Sequence, residues 1–198
     1  MISMTPIRLG TYDNSWYSPG GTFFKRAAWL FFGQPLLHSA WITSSSFRVH
    51  LLRAFGARVG CGVVIKPSIL VKYPWHLVIG DHCWIGEHCW IDNLTTVRIG
   101  SNVCISQGAY LCTGNHDWTD PSFGLMIAPV QLNDGSWVGA KCILTPGSLL
   151  GEGAIAAAGA VVSGSVPDFA IYAGNPARFM KTRVVRHVAN AVHEEMHL

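Results

Sequence analysis

The residue of this chain best suited to acid–base chemistry is His116, which lies in a segment rich in turn-forming residues. Residues 113–124 read Thr-Gly-Asn-His-Asp-Trp-Thr-Asp-Pro-Ser-Phe-Gly. An imidazole exchanges a proton near neutral pH and can therefore serve as a general base. Asp117, Asp120 or a backbone carbonyl could orient the ring, and the residues do not decide among these three. We predict that His116 is the catalytic residue.

Two His-Cys pairs, His82-Cys83 and His88-Cys89, have residue types found in metal sites. They stand six residues apart, which is the period of a repeat that runs through most of the chain, so the repeat accounts for them without a metal. Cys83, Cys89 and Cys142 occupy its small-residue positions. We expect them to be reduced and buried rather than paired in disulfides, and we expect no metal.

The repeat itself is an aliphatic residue at every sixth position, interrupted by two steps of eight and one long gap. Its members are Val59, Ile65, Val71, Ile79, Ile85, Ile91, Ile99, Ile105 and Leu111, followed by Val138, Leu144, Leu150, Ala156 and Val162. A short fixed period predicts a solenoid, here with three six-residue segments per triangular turn. We predict an all-β solenoid of about five coils, with strands as sides and turns as corners.

Small residues four positions after each repeat residue, such as Thr95, should point inward with it. Glycines that directly follow a repeat residue, such as Gly80 and Gly139, should serve corners that need backbone freedom. The interval from Leu111 to Val138 is the largest departure from the repeat. It predicts a protruding loop over residues 113–134, and functional residues of solenoids commonly lie on such insertions.

The region before the solenoid, residues 1–56, is predicted to be an extended arm followed by capping helices. Residues 22–32 favour a helix with Thr22 as N-cap and a stop at Gly33. Residues 46–55 favour a second helix.

These helices are expected to cover the unpaired edge at the end of the solenoid. The alternative is that the first helix, with Lys25 and Arg26, also touches a membrane surface or a lipid-linked substrate.

Composition sets outer limits on what the chain does. Of 198 residues, 49% are hydrophobic and 13% charged, with a net charge of +3, which argues against disorder and against nucleic-acid binding. No secretory signal or membrane-spanning segment is evident, so a cytoplasmic location is expected, with the inner face of the membrane as a variant.

Residues 57–183 form the predicted solenoid domain. Residues 184–198 form a tail with a short amphipathic helix, whose His187, His193 and His197 are expected to be solvated.

The chain resembles the hexapeptide-repeat acyltransferases, and within them the branch of galactoside, maltose and nodulation-factor O-acetyltransferases. It looks most like the colanic acid biosynthesis acetyltransferases. The resemblance covers about residues 20–183 and rests on the repeat together with Leu-Leu-Arg-Ala-Phe-Gly at 51–56, Val-Ile-Lys-Pro at 64–67 and Thr-Gly-Asn-His-Asp at 113–117. It implies a left-handed parallel β-helix, acetyl-CoA as co-substrate, and a homotrimer with active sites between subunits.

The resemblance also implies a coenzyme site. Its motifs appear as Trp-Val-Gly-Ala at 137–140, Ala-Ala-Gly at 157–159 and Gly-Asn-Pro-Ala-Arg at 174–178. The first two motifs would lie along the pantetheine arm. Arg178 of the last motif, with Lys181 three residues further on, would meet the adenosine phosphates. The residues implied in cofactor binding are Ala140, Ala158, Ser163, Arg178 and Lys181.

The resemblance makes His116 a general base that activates a saccharide hydroxyl for direct attack on the thioester, without an acyl-enzyme intermediate. The residues implied in acceptor binding are Asp92, Asn93, His88 and Trp118. We expect an O-acetyltransferase of surface-polysaccharide biosynthesis acting on a free, nucleotide-linked or lipid-linked saccharide.

Three alternatives stay open at this point. They are an acetyltransferase of the same class that N-acetylates an amino sugar or acetylates serine, a non-catalytic β-helix scaffold, and a zinc enzyme of the γ-class carbonic anhydrase type. The last needs a further histidine five residues after the loop histidine, where this chain has Pro121.

Overall fold

The computed structural model describes residues 5–186 and consists of a parallel β-solenoid with a helical segment at its N-terminal end. Three sheets form the sides of the coil. The first sheet contains β1 (Arg58–Val59), β4 (Leu77–Ile79), β7 (Val97–Ile99), β12 (Val130–Leu132), β15 (Leu149–Leu150) and β18 (Ser165–Val166). The second contains β2 (Val64–Ile65), β5 (Trp84–Ile85), β8 (Cys104–Ile105), β13 (Trp137–Val138), β16 (Ile155–Ala156), β19 (Ala170–Ala173) and β20 (Arg178–Thr182). The third contains β3 (Leu70–Val71), β6 (Trp90–Asp92), β9 (Tyr110–Cys112), β14 (Ile143–Leu144) and β17 (Val161–Val162).

Neighbouring strands within these sheets are parallel, except that β20 runs antiparallel to β19. The chain passes from first to second to third sheet in each turn, so the predicted solenoid is confirmed. The coil has five complete turns and a sixth begun by β18 and β19, rather than about five. We call the turn from first to second sheet the first corner, from second to third the second corner, and from third to first the third corner.

The repeat residues form the core of the coil. From Ile65 to Val162 the predicted members are buried, with at most 2% of each exposed. Leu132 is a further member that the sequence analysis missed, because it lies six residues before Val138 at the end of the turn-rich gap. Since β12 pairs with β7, the excursion from the coil ends before Val130 and is shorter than residues 113–134.

The small inward positions follow the prediction with one exception. Cys83, Cys89 and Cys142 are fully buried free cysteines whose Sγ atoms donate to carbonyl oxygens of the next turn. Burial raises the pKa of Cys89 to about 11, so it stays a thiol at neutral pH. Thr95 is only half-buried, because the two extra residues of its corner put Asn93 inward instead.

The glycines that follow repeat residues serve a different purpose from the one predicted. Gly80 and Gly139 do not have left-handed backbone. A Cβ on Gly80 would lie 2.7 Å from the carbonyl carbon of Gly100, and one on Gly139 would lie 2.6 Å from the nitrogen of Ala158. Close stacking of successive turns, and not turn conformation, therefore requires glycine there.

The N-terminal helix is longer than residues 22–32. Helix α1 (Phe23–Ala28) begins at Thr22, whose side chain accepts a hydrogen bond from the Lys25 N–H as predicted. It continues through a π-helical turn (Trp29–Gly33) into α2 (Gln34–His38), so the predicted stop at Gly33 is wrong. Gly33 instead makes room for the Trp29 indole, since a Cβ there would lie 2.2 Å from a ring carbon.

Helix α3 (Ser45–Ala54) follows, and the two helical segments cover the first turn of the coil. Trp29 is buried there and donates from its indole nitrogen to the carbonyl of Val71. Arg48 of α3 is also fully buried, and its guanidinium donates to backbone carbonyls around the end of α2, including those of Leu37 and Ser39.

None of the helices within residues 5–186 has the length and apolar character needed to cross a bilayer. The predicted C-terminal helix, with His187, His193 and His197, lies outside the described residues.

We expect Gly80→Ala to lower the free energy of unfolding by about 1–3 kcal/mol, because its Cβ has no space between two turns. Gly10→Ala is the matched control, since a Cβ at Gly10 meets no atom within 4 Å. Urea unfolding followed by tryptophan fluorescence measures both variants. Equal midpoints for the two would contradict the close-stacking explanation.

Candidate active site

His116 ends a strand of a hairpin that projects from the third corner. The hairpin pairs β10 (Gly114–His116) with β11 (Leu125–Ile127) in antiparallel register, with His116 opposite Leu125. Below it, the Asp117 N–H donates to the Gly124 carbonyl over 2.8 Å. The catalytic candidate therefore lies at the base of an ordered turn.

The imidazole of His116 is oriented by the residue Phe123. Its Nδ1 lies 2.9 Å from the Phe123 carbonyl oxygen, and the two rings stack with centroids 4.4 Å apart and planes 6° from parallel. A carbonyl can only accept, so Nδ1 must carry the hydrogen. In the neutral ring this leaves the lone pair on Nε2, which is the arrangement that a general base requires.

Neither nearby carboxylate takes part in this contact. An oxygen of Asp117 accepts from the N–H and the hydroxyl of Thr119, and these bonds lower the pKa of Asp117. An oxygen of Asp120 accepts in the same way from Ser122. Of the three orienting groups left open by the sequence, the structure therefore selects the backbone carbonyl.

The root of the hairpin is held by polar side chains that point into the coil. Thr113 is fully buried, donates from its hydroxyl to the Asp92 carbonyl and accepts from the Thr95 N–H. One turn earlier, Asn93 is fully buried and its amide bonds both the N–H and the C=O of Tyr73. Asn93 thus has no surface for an acceptor. It fixes the third corner on which the hairpin stands.

Asp92, another predicted acceptor residue, is half-buried and bonded to neighbouring side chains. Its carboxylate lies 2.9 Å from Lys72 Nζ and accepts from the Tyr110 hydroxyl over 3.2 Å. Burial raises the pKa of Tyr110, so the hydroxyl keeps the proton that it donates. Tyr110 in turn stacks on Trp90, with ring centroids 4.7 Å apart.

The other two acceptor candidates are exposed but occupy different places. Trp118 lies in the turn of the hairpin that carries His116 and is 76% exposed. His88 lies at the second corner in left-handed conformation, two turns before Ala140. One chain therefore brings Trp118, but not His88, to the corner that carries His116.

Sequence reasoning missed the N-terminal arm as a neighbour of this site. The Tyr12 ring lies 5.6 Å from that of His116, and the Arg8 N–H donates to the Pro121 carbonyl over 2.7 Å. The arm has no periodic pattern, so no signal in it could have indicated this long-range packing.

The predicted cofactor residues fall into two groups. Ala140 and Ala158 occupy the second corner in successive turns, where the Gly159 N–H donates to the Ala140 carbonyl. Above them, residues 174–177 form the turn between β19 and β20, and Arg178 begins β20 with its side chain exposed. Lys181 is exposed on the same strand, opposite Ile171.

Ser163 lies apart from these residues. It is exposed at the third corner, on the side of the coil from which the His116 hairpin projects. The third sheet separates the two groups, since its strands run from the second corner to the third. A single chain therefore does not join His116 to Ala140 and Ala158.

The His-Cys pairs do not form a metal site. Cys83 points into the coil, while its neighbour His82 is exposed. Within residues 5–186, no group of three or more His, Cys, Asp or Glu side chains is placed to hold a metal ion.

No family model matches the chain, but similar proteins of known sequence are named acetyltransferases. The chain is 36% identical over 138 residues to the putative colanic acid biosynthesis acetyltransferase WcaF of Escherichia coli strain K12, covering 70% of this chain and 76% of that protein.

Solved structures with the same fold include a hexapeptide-repeat acetyltransferase of Vibrio cholerae in complex with acetyl coenzyme A, at 20% identity and a TM-score of 0.73, covering 82% of this chain and 88% of that one. A maltose O-acetyltransferase of Clostridium difficile has 22% identity and a TM-score of 0.70, covering 85% and 92%. These likenesses confirm the predicted left-handed parallel β-helix.

Asp117→Asn and Asp120→Asn should both leave His116 with its hydrogen on Nδ1, because the Phe123 carbonyl and not a carboxylate determines the tautomer. Imidazole nitrogen chemical shifts measured by NMR distinguish the two tautomers, and His116→Gln identifies the signals to be followed. Transfer of the hydrogen to Nε2 in either aspartate variant would show that a carboxylate orients the ring.

Proposed function

The chain belongs to the hexapeptide-repeat acetyltransferases, and on that premise we propose that it transfers an acetyl group from acetyl-CoA to a saccharide hydroxyl in surface-polysaccharide biosynthesis. The observation that carries the reaction is the bond between His116 Nδ1 and the Phe123 carbonyl. It leaves Nε2 with a lone pair on a partly exposed ring, as proton removal from a sugar hydroxyl requires.

The reaction proceeds by direct transfer. Nε2 of His116 takes the hydroxyl proton while the sugar oxygen forms a bond to the thioester carbonyl carbon. The resulting tetrahedral oxyanion is stabilised by a backbone N–H, which we assign to the region of Ala140. Its collapse breaks the carbon–sulfur bond, and the imidazolium returns the proton to the departing coenzyme A sulfur.

The coenzyme lies along the second corner in this proposal. Ala140 and Ala158 present small side chains in successive turns, which leaves a smooth surface for the thin pantetheine arm. Arg178 and Lys181 are exposed cations beyond them, suited to the adenosine phosphates. Ser163 lies at the third corner, so it would contact coenzyme bound along the second corner of a neighbouring copy.

We infer that the working enzyme is a homotrimer. His116 and the Ala140–Ala158 surface occupy different corners of one chain, so a complete site needs the second corner of a neighbouring copy beside the third corner of this one. A cyclic trimer repeats that junction three times and closes. The same junction would bring His88 of the neighbouring copy toward Asp92 and Trp118.

The acceptor is a free, nucleotide-linked or lipid-linked saccharide, and we assign the enzyme to the cytoplasm, at the inner face of the membrane. The dTDP complex of an N-acyltransferase of Bacillus cereus with a similar fold, at 21% identity and a TM-score of 0.58, makes nucleotide sugars a useful part of any acceptor panel.

His116→Asn should lower the turnover of acetyl-CoA with a saccharide acceptor by about 10²–10⁴-fold, the usual contribution of a general base. Binding of acetyl-CoA, read as thermal stabilisation, should persist. The matched control is His82→Asn, an exposed histidine at the first corner of the coil, whereas the His116 hairpin projects from the third, and it should keep wild-type turnover. Release of free thiol is measured over a panel of neutral and amino sugars, so preference for an amine would identify an N-acetyltransferase. Wild-type turnover by His116→Asn would overturn the mechanism.

Arg178→Ala should weaken coenzyme A binding by about tenfold or more, because a charged hydrogen bond to phosphate is lost. Arg98→Ala is the matched control, since Arg98 is an exposed cation on the first sheet. Isothermal titration measures the dissociation constant of each variant. A wild-type constant for Arg178→Ala would remove it from the coenzyme site, and no binding by any variant would favour a scaffold.

A further inference from the structure

The N-terminal helical segment exposes apolar side chains where a surface helix normally carries charge. Phe24 is 82% exposed and Phe31 68%, and the neighbouring Trp41 is 95% exposed. The exposed apolar residues of this segment, which we call the N-terminal apolar face, are Phe23, Phe24, Leu30, Phe31, Phe32, Leu36 and Trp41. An exposed patch of this kind marks an interaction surface.

The distribution of charge indicates what that surface meets. Residues 14–80 contain seven lysines and arginines and no aspartate or glutamate, whereas the rest of the chain contains seven basic and eleven acidic residues. The net charge is therefore +7 over residues 14–80, which include the apolar face, and −4 over the rest of the chain. Lys25 and Arg26 adjoin the face directly, while Arg48 is buried and contributes nothing to its surface.

A cavity of about 380 Å³ opens beside the face, between the helix and the third sheet. Leu30 belongs to both the face and the cavity, whose walls also include Trp29, Leu70 and Trp90. Arg26 and Lys72 line the same cavity. Within residues 5–186 the one ion pair is Lys72–Asp92, so Arg26 has no carboxylate neighbour. An apolar cavity with two cations suits a phosphate that carries a hydrocarbon chain.

We propose that the N-terminal apolar face docks the enzyme on a bilayer containing anionic phospholipid, with a lipid phosphate held between Arg26 and Lys72. Aromatic and aliphatic side chains enter the headgroup boundary, and the flanking cations meet the anionic surface. Self-association through this face is disfavoured in a two-fold arrangement, because it would bring two segments of like charge together. Membrane docking itself does not depend on the proposed function. Its use, which is access to a membrane-borne saccharide, rests on that function.

Vesicle flotation with the full chain tests the proposal. The wild type should bind vesicles of phosphatidylcholine and phosphatidylglycerol, bind phosphatidylcholine alone more weakly, and lose affinity as salt is raised. Phe24→Ser with Phe31→Ser should weaken binding by about tenfold or more. The matched control is Val184→Ser with Val185→Ser, which removes two exposed apolar side chains outside the N-terminal apolar face and should bind like wild type. Arg26→Gln should reduce the preference for phosphatidylglycerol.

Three outcomes would overturn the proposal. They are a wild type that does not float with anionic vesicles, equal binding by the phenylalanine and valine double variants, and a phenylalanine double variant that loses its oligomeric mass in light scattering. The last would identify the face as an interface between copies of the chain. Thermal stabilisation by acetyl-CoA is measured on the same samples. Thermal stabilisation by acetyl-CoA without vesicle binding rejects only the docking face. A lack of thermal stabilisation rejects the proposed function.

Discussion

The spacing between successive turns of the coil is the constraint on which the rest of the structure depends. Parallel strands in a sheet lie about 4.8 Å apart, so every corner passes directly over the corner below it. Gly80 and Gly139 satisfy this constraint by having no side chain where two backbones approach. Buried cysteines satisfy it by donating to carbonyls of the next turn. A regular coil of this kind leaves little freedom for a site within its faces.

The third corner is where the chain departs from regularity, and the departures support one another. Asn93 joins its corner to Tyr73 in the turn before, and Thr113 joins the next corner to Asp92. The hairpin that carries His116 projects from the corner that contains Thr113. The satisfied polar groups of these corners therefore fix the base of the hairpin. The His116 imidazole is then held by the carbonyl and the ring of Phe123, with the Tyr12 ring beside it.

Period and residue type were sufficient to predict the coil, the buried cysteines and a loop carrying His116. They failed where the deciding contact is made through space. The Phe123 carbonyl has no sequence signature, because every residue has a carbonyl, and Tyr12 reaches His116 from an arm without periodicity. The continuation of the helix past Gly33 was missed for a related reason. A glycine that accommodates the Trp29 ring looks the same in sequence as one that ends a helix.

The separation of the two corners has a consequence for how such a site can be completed. The strands of the third sheet are two or three residues long and are hydrogen-bonded to their neighbours in the sheet, so that sheet is a rigid spacer between His116 and the surface of Ala140 and Ala158. No change of loop conformation shortens that spacer. In the proposed trimer, a neighbouring copy places its coenzyme surface beside His116, so the acceptor and the coenzyme come together only after assembly.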